Sequence, residues 1–214
     1  MGGIYDCAEP QQRADGLREA ADALRRGRLV VLPTDTVYGL AADAFTPSAV
    51  DALLAAKRRG REMPVPVLVD SRRMLEGVVA SLPAVGRELA EAFWPGALTL
   101  VLRHTPALAW DLGDSRGTVA VRMPLHPVAL DLIAATGPLA VSSANRSGSP
   151  PAVTAEDASE ALGYDVEVYL DAGPSAAPVP STIVDLTGDP PTVLRSGAIA
   201  PDALREVCPE VDFR

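Results

Sequence analysis

Val30-Val31-Leu32-Pro33-Thr34-Asp35-Thr36-Val37-Tyr38-Gly39-Leu40 sets the reading of the whole chain. Leu29 to Leu32 is a short apolar run rich in β-branched residues, the pattern of a buried strand. Pro33 has no N–H to give a sheet ladder and stops that strand. Thr34, Asp35 and Thr36 then stand at its carboxyl end, where open α/β sheets collect ligands. The same three residues also suit an ordinary turn between strand and loop; the stretch alone leaves both readings open.

Working outward, Asp15 reads as the cap of a helix running to Arg26, with Leu17, Ala20, Ala21 and Leu24 on one face and Gly27 at its stop. The dozen residues before it read as a poorly ordered tail. Downstream, Thr46-Pro47 opens a second helix whose apolar line is Val50, Leu53 and Leu54. Lys57 continues that line at the helix end, so its stem can lie along the core edge while its amine reaches a cleft. The chain has 19 Lys plus Arg, and Lys57 is its one lysine. A compact point charge retained among arginines hints at a task that arginine does not do.

Lys57-Arg58-Arg59-Gly60-Arg61 is either a solvated loop or an anion site. Val65 to Val69 reads as a strand that Pro66 places at an edge or a bulge. Helices are expected over 72–79 and 83–93, a turn at Trp94-Pro95-Gly96, and strands over 98–102 and 118–121. A helix follows over 127–135, then a short strand over 139–141. That strand runs into Ser142-Ser143-Ala144-Asn145-Arg146-Ser147-Gly148, a second polar strand end. Its small side chains would let a ligand approach the backbone, and it reads equally as a Ser/Gly loop. Thr154 to Asp157 starts a helix to Leu162 in capping-box fashion. Strands over 166–170 and 181–185, a return strand over 192–194 forming a hairpin, and a helix over 201–207 complete the chain.

Several strands are joined by short turns alone, which favours an α/β fold with a mixed sheet over a doubly wound parallel one. At 214 residues and 48% hydrophobic content one domain is expected, its core about residues 15–207. The net charge of -9 speaks against a surface built for duplex nucleic acid. There is no signal segment and no long apolar run, so no membrane association is expected and a cytoplasmic location follows by default. Cys7 and Cys208 make no disulfide framework. With two histidines and no CxxC or HExxH, a zinc site is not expected and no protein metal ligands are assigned. No P-loop or GxGxxG turn is present.

Seven stretches together resemble the threonylcarbamoyl-AMP synthase family, the YrdC-like proteins. They are PTDTVYGL (33–40), the K-x-R of Lys57 and Arg59, WPGALT (94–99), VRMP (121–124), SSANRSG (142–148), STIVD (181–185) and R-S-G (195–197). They stand in the family's order over about residues 27–197, and the chain resembles the short single-domain form. The resemblance implies a twisted open sheet with flanking helices around a concave basic cleft. It implies an enzyme, a nucleotidyltransferase that joins L-threonine, bicarbonate and ATP, with Mg2+, into threonylcarbamoyl-adenylate and pyrophosphate. Partner transferases would then modify tRNA, with at most weak tRNA binding by this chain. Positioning and charge neutralisation suffice for such a displacement at the α-phosphate.

By position, the resemblance places Lys57 and Arg59 at the phosphates as catalytic cations. Thr36, Arg122, Ser142 and Ser181 go to threonine. Arg59, Met63, Thr118, Ser143, Asn145 and Arg195 go to ATP. Two residues depart from the family pattern: Met63 replaces an asparagine and Leu68 an imidazole near the threonine pocket. The rival readings are an RNA-binding module using the basic cleft, against which charge and the lack of interleaved aromatics count, and a carbamoyl-transfer enzyme.

Overall fold

A computed structural model describes residues 2–176 and 178–213. Eleven strands form one sheet: β1 Gly3–Asp6, β2 Leu29–Leu32, β3 Gly39–Asp43, β4 Val67–Leu68, β5 Leu98–Arg103, β6 Thr118–Arg122, β7 Leu139–Ser143, β8 Val166–Asp171, β9 Thr182–Asp185, β10 Thr192–Arg195 and β11 Asp212–Phe213. Their spatial order is β1-β8-β2-β3-β7-β4-β6-β5-β9-β10-β11. Parallel pairs (β1/β8, β2/β8, β4/β6, β5/β9, β10/β11) are mixed with antiparallel ones (β2/β3, β3/β7, β4/β7, β5/β6, β9/β10). The expected open mixed sheet is therefore present, and the ends of the order do not meet.

Among the described residues seven α-helices flank it: α1 Pro10–Arg25, α2 Pro47–Lys57, α3 Arg72–Val78, α4 Ala84–Phe93, α5 Pro127–Thr136, α6 Ala155–Leu162 and α7 Pro201–Val207. Alternation along the strands sends side chains to two cores, one on each face. Val31, Leu40, Val67 and Leu100 pack with Leu53, Leu75, Leu89, Leu162 and Leu204 of α2, α3, α4, α6 and α7. Val30, Leu32, Ala41 and Val141 pack on the other face with Leu24 of α1 and Ile133 of α5. Among the described residues no helix is long and apolar enough to cross a membrane.

Three expectations are corrected. The first dozen residues are not a loose tail: Gly3–Asp6 pairs with β8, and the Cys7 N–H donates to the Asp171 carbonyl at 2.6 Å. The first helix starts at Pro10, and Asp15 lies inside it, accepting from Gln11 and Arg18. Gly16 lets this helix lie against β1, since a Cβ there would come within 2.7 Å of the Tyr5 Cβ. Finally, Val67–Leu68 is central, not an edge: it lies between β6 and β7. Pro66 is tolerated because it precedes the strand and needs only its carbonyl, which accepts from the Val141 N–H at 2.8 Å.

β3 was not marked in the sequence reading. Gly39, Ala41 and Ala42 have little intrinsic strand preference; burial on both faces places them between β2 and β7. Gly39 is required there, because a Cβ would meet Val141 Cγ1 at 2.7 Å.

Candidate active site

α1 and α5 cover the half of one sheet face formed by β8, β2 and β3. Beyond them that face is open and floors a cleft of about 500 Å³. The strand registers lay out the floor. Leu68 stands opposite Arg122, Val101 opposite Ala120, and Thr99 opposite Ile183, which in turn pairs with Arg195. The two polar strand ends form the walls: Thr34 and Thr36 after β2, and Ser142 and Ser143 at the end of β7. They meet because β3 pairs with β7, Gly39 opposite Ser143 and Leu40 opposite Ser142.

Arg122 is 7% exposed and every nitrogen of its fork is engaged. Nε donates to the Gly96 carbonyl at 2.9 Å, Nη1 to Thr36 Oγ1 at 2.9 Å and Nη2 to Asp35 Oδ1 at 2.6 Å. Of five N–H groups this leaves one on each terminal nitrogen. Thr34 Oγ1 donates to the Val37 carbonyl at 2.7 Å and lies 3.1 Å from Thr36 Oγ1, so the Thr-Asp-Thr loop is braced internally. Arg195 donates to the Ser181 carbonyl at 2.7 and 3.0 Å and to its Oγ at 2.9 Å, and Ser181 Oγ lies 2.8 Å from Thr99 Oγ1. Arg59 donates to the carbonyls of Met63 and Pro64 at 2.9 and 3.0 Å and to Ser142 Oγ at 3.3 Å. Burial lowers the pKa of all three arginines, and the like charge of Arg122 adds to this at Arg195; they remain cations at any physiological pH.

Of the residues singled out from the sequence, Thr36, Arg59, Arg122, Ser142, Ser143, Ser181 and Arg195 share this cleft. Four do not line it. Thr118 lines a smaller adjoining cavity of about 180 Å³ and donates to the Ser115 carbonyl at 2.7 Å. The Met63 side chain is 51% exposed, and its carbonyl is the one that holds Arg59. The Asn145 side chain accepts from Lys57 at 3.3 Å and donates to the Arg146 and Ser149 carbonyls at 3.0 and 2.6 Å.

Lys57 corrects the expectation of an exposed amine facing the cleft. It is 3% exposed. Nζ donates to the Ser143 and Asn145 carbonyls at 2.5 and 2.8 Å, with Ser143 Oγ at 3.4 Å. No carboxylate pairs with it among the described residues. Burial first, then the charge of Arg59, brings the amine down to about 8. It ties the end of α2 to the back of the Ser143–Asn145 turn.

Thr99 has no role assigned from the sequence, and Asp35 stands there only as one of three polar residues at a ligand-collecting strand end. Thr99 carried a readable signal: it is the polar residue in the otherwise apolar stretch from Leu98 to Leu102, on the same face as Val101. Asp35 looked like a turn former, and its partner Arg122 is 87 residues away. Leu68, the departure from the family pattern, is 5% exposed and lines the floor beside Arg122.

The R-S-G stretch has a steric basis. A Cβ on Gly197 would come within 2.3 Å of the Pro180 carbonyl oxygen and 2.5 Å of Ser181 C and Thr182 N. Those atoms are backbone, so Gly197→Ala must push β10 from Ser181 and displace Arg195. We expect a loss of about 2 kcal/mol and a melting midpoint roughly 4–8 °C lower. Gly188→Ala is the control, because nothing lies within 4 Å of its Cβ position. Equal melts for the two variants would remove this account.

Residues 22–197 match a family model named for Sua5, YciO and YrdC and described as telomere recombination. A Mycobacterium tuberculosis protein, provisionally named a threonylcarbamoyl-AMP synthase, is 59% identical over 207 residues, covering 97% of this chain and 95% of its own length. The threonylcarbamoyl-AMP synthase of Pyrococcus abyssi is 38% identical over 91% of this chain and 58% of its own. The crystal structure of P. abyssi Sua5 complexed with L-threonine superposes with a TM-score of 0.92 at 36% identity, over 99% of this chain and 62% of that one.

Proposed function

The chain belongs to the Sua5–YciO–YrdC family, and from that premise we propose that it makes L-threonylcarbamoyl-adenylate from L-threonine, bicarbonate and ATP, releasing pyrophosphate. The observation that carries the reading is the convergence, in one cleft, of a buried arginine with two free N–H groups and two further arginines held only by neutral oxygens. The first suits one carboxylate, bound bidentately; the others suit phosphates.

Threonine would place its carboxylate on Arg122 and its hydroxyl among Thr36, Ser181 and Thr99. Bicarbonate condenses with the threonine amine to a carbamate, losing water. A carbamate oxygen attacks the α-phosphorus, the bond to the bridging oxygen breaks, and pyrophosphate leaves with that electron pair. Arg59 and Arg195 would neutralise charge on the phosphates as it shifts to the leaving group. No protein nucleophile is needed. Among the described residues no group of three or more His, Cys, Asp or Glu side chains converges on a metal position. Magnesium would therefore enter as part of the substrate, liganded by phosphate and water. Lys57 acts behind the site in this reading, shaping the Ser143–Asn145 turn rather than touching phosphate. Transferases that carry the threonylcarbamoyl group to tRNA would consume the product, with tRNA bound at most weakly by this chain.

Mass spectrometry of the product formed with labelled bicarbonate tests the proposal. Label should enter a threonine adduct of AMP, with pyrophosphate released and no ADP. Serine lacks one methyl group of threonine, so it should react roughly 10–200-fold worse in kcat/KM. Leu68 offers the pocket no hydrogen bond, which puts the expectation at the lower end. Pyrophosphate release indifferent to threonine would sink the assignment.

A further inference from the structure

The three cleft arginines differ in one respect that their shared chemistry conceals. Arg59 and Arg195 hold only carbonyl and hydroxyl oxygens. Glu62 lies near enough to Arg59 to be felt but forms no salt bridge with it. Arg122 alone is paired with a carboxylate, Asp35, and the two side chains are 8% and 15% exposed. The pair is fixed at its other end too: the same Asp35 oxygen accepts the Leu125 N–H at 2.9 Å, which anchors the carboxylate to the turn after β6.

A charge and its counter-charge 2.6 Å apart present a dipole to anything beyond contact distance. The long-range attraction of a lone guanidinium for an approaching polyanion is reduced by this pairing, although Arg195 still feels the charge of Arg122. What survives is short-range: the two remaining N–H groups, enough for one carboxylate. Arg195 has no carboxylate partner and Arg59 only the more distant Glu62, so both keep more of the field that a polyphosphate seeks.

We propose that Asp35 is a specificity-determining residue: by neutralising Arg122 it directs polyphosphate to Arg59 and Arg195 and keeps Arg122 open for a single carboxylate. The inference rests on the synthase reading and deepens it. It explains why a cleft with three arginines would not let the triphosphate of ATP occupy the amino-acid subsite.

The test is calorimetric titration with L-threonine, with and without saturating inorganic tripolyphosphate, which requires no turnover. For the wild type, the threonine Kd should change less than about twofold when tripolyphosphate is present. Asp35→Asn keeps an oxygen for both Leu125 N–H and Arg122 but removes the charge, so tripolyphosphate should now raise the threonine Kd by about tenfold or more. Competition already present in the wild type, or a folded Asp35→Asn protein that stays indifferent to tripolyphosphate, overturns the proposal. Should Asp35→Asn not fold, Asp35→Ser, which also removes the charge, carries the same comparison. A wild type that binds no threonine at all overturns the synthase reading and this inference with it, an outcome distinct from the other two.

Discussion

Lys57→Ala should cost about 3 kcal/mol of stability, a melting midpoint roughly 6–12 °C lower, and about a hundredfold in kcat/KM. The expectation from the sequence, an amine that reaches the cleft, is set aside by its buried position. The amine donates to two main-chain carbonyls inside the protein, at 2.5 and 2.8 Å, and its removal leaves both acceptors without their partner. Loss of the buried stem adds to this; relief of burying a charge offsets part of it. The catalytic loss follows because Ser143, whose carbonyl the amine holds, lines a wall of the cleft. Its sign with pH can be worked out. The folded amine titrates near 8 and the unfolded one near 10.5, so between those values the unfolded chain binds more protons and stability rises with pH. Relative to Lys57→Met, which lacks the titration, wild-type stability should climb by about 1.4 kcal/mol per pH unit in that window and be parallel to it below pH 8. Denaturant melts from pH 7 to 10.5 measure the difference; parallel curves throughout would mean that the carbonyl cage keeps the amine charged.

What the sequence showed and what it hid divide along physical lines. Strands built from Val, Leu and Ile were legible, because β-branched runs bounded by Pro and Gly have few other fates. β3 was hidden, because a Gly-Leu-Ala-Ala segment becomes a strand only through the neighbours that bury it. Pro66 misled by a general rule that holds within a strand and not for the residue just before it. The amino terminus was misread because four residues pairing with β8, some 165 positions away, leave no local periodicity. In the site, polar letters at strand ends marked Thr34, Thr36, Ser142 and Ser143 as candidates without deciding between ligand contact and turn, and the family resemblance supplied Arg59, Arg122, Ser181 and Arg195. The residues acting one layer behind were noticed but misplaced: Asp35 and Lys57 are defined by partners 87 and 86 positions distant, and side-chain type alone did not say whether a charge faces ligand or protein.

Arg122→Ala should have the largest effect, abolishing measurable threonine-dependent turnover and costing about 3–5 kcal/mol of stability. Three groups lose their donor together: the Gly96 carbonyl, Thr36 Oγ1 and the Asp35 carboxylate. The last dominates, because Asp35 is left charged with a side chain only 15% exposed. Arg122→Lys should not restore function, since a single ammonium cannot reach all three acceptors and still offer two parallel N–H groups to a substrate carboxylate. The cause can be separated from the consequence with a double variant. Removing both charges, Asp35→Asn with Arg122→Ala, takes away the uncompensated carboxylate and should recover about 2 kcal/mol or more of the loss, while threonine-dependent turnover stays absent. Denaturant melts and pyrophosphate release on the wild type, both single variants and the pair complete the cycle. If Arg122→Ala is as stable as the wild type, the buried pair is not what holds the loop; if the double variant turns over threonine normally, Arg122 is not the carboxylate's partner.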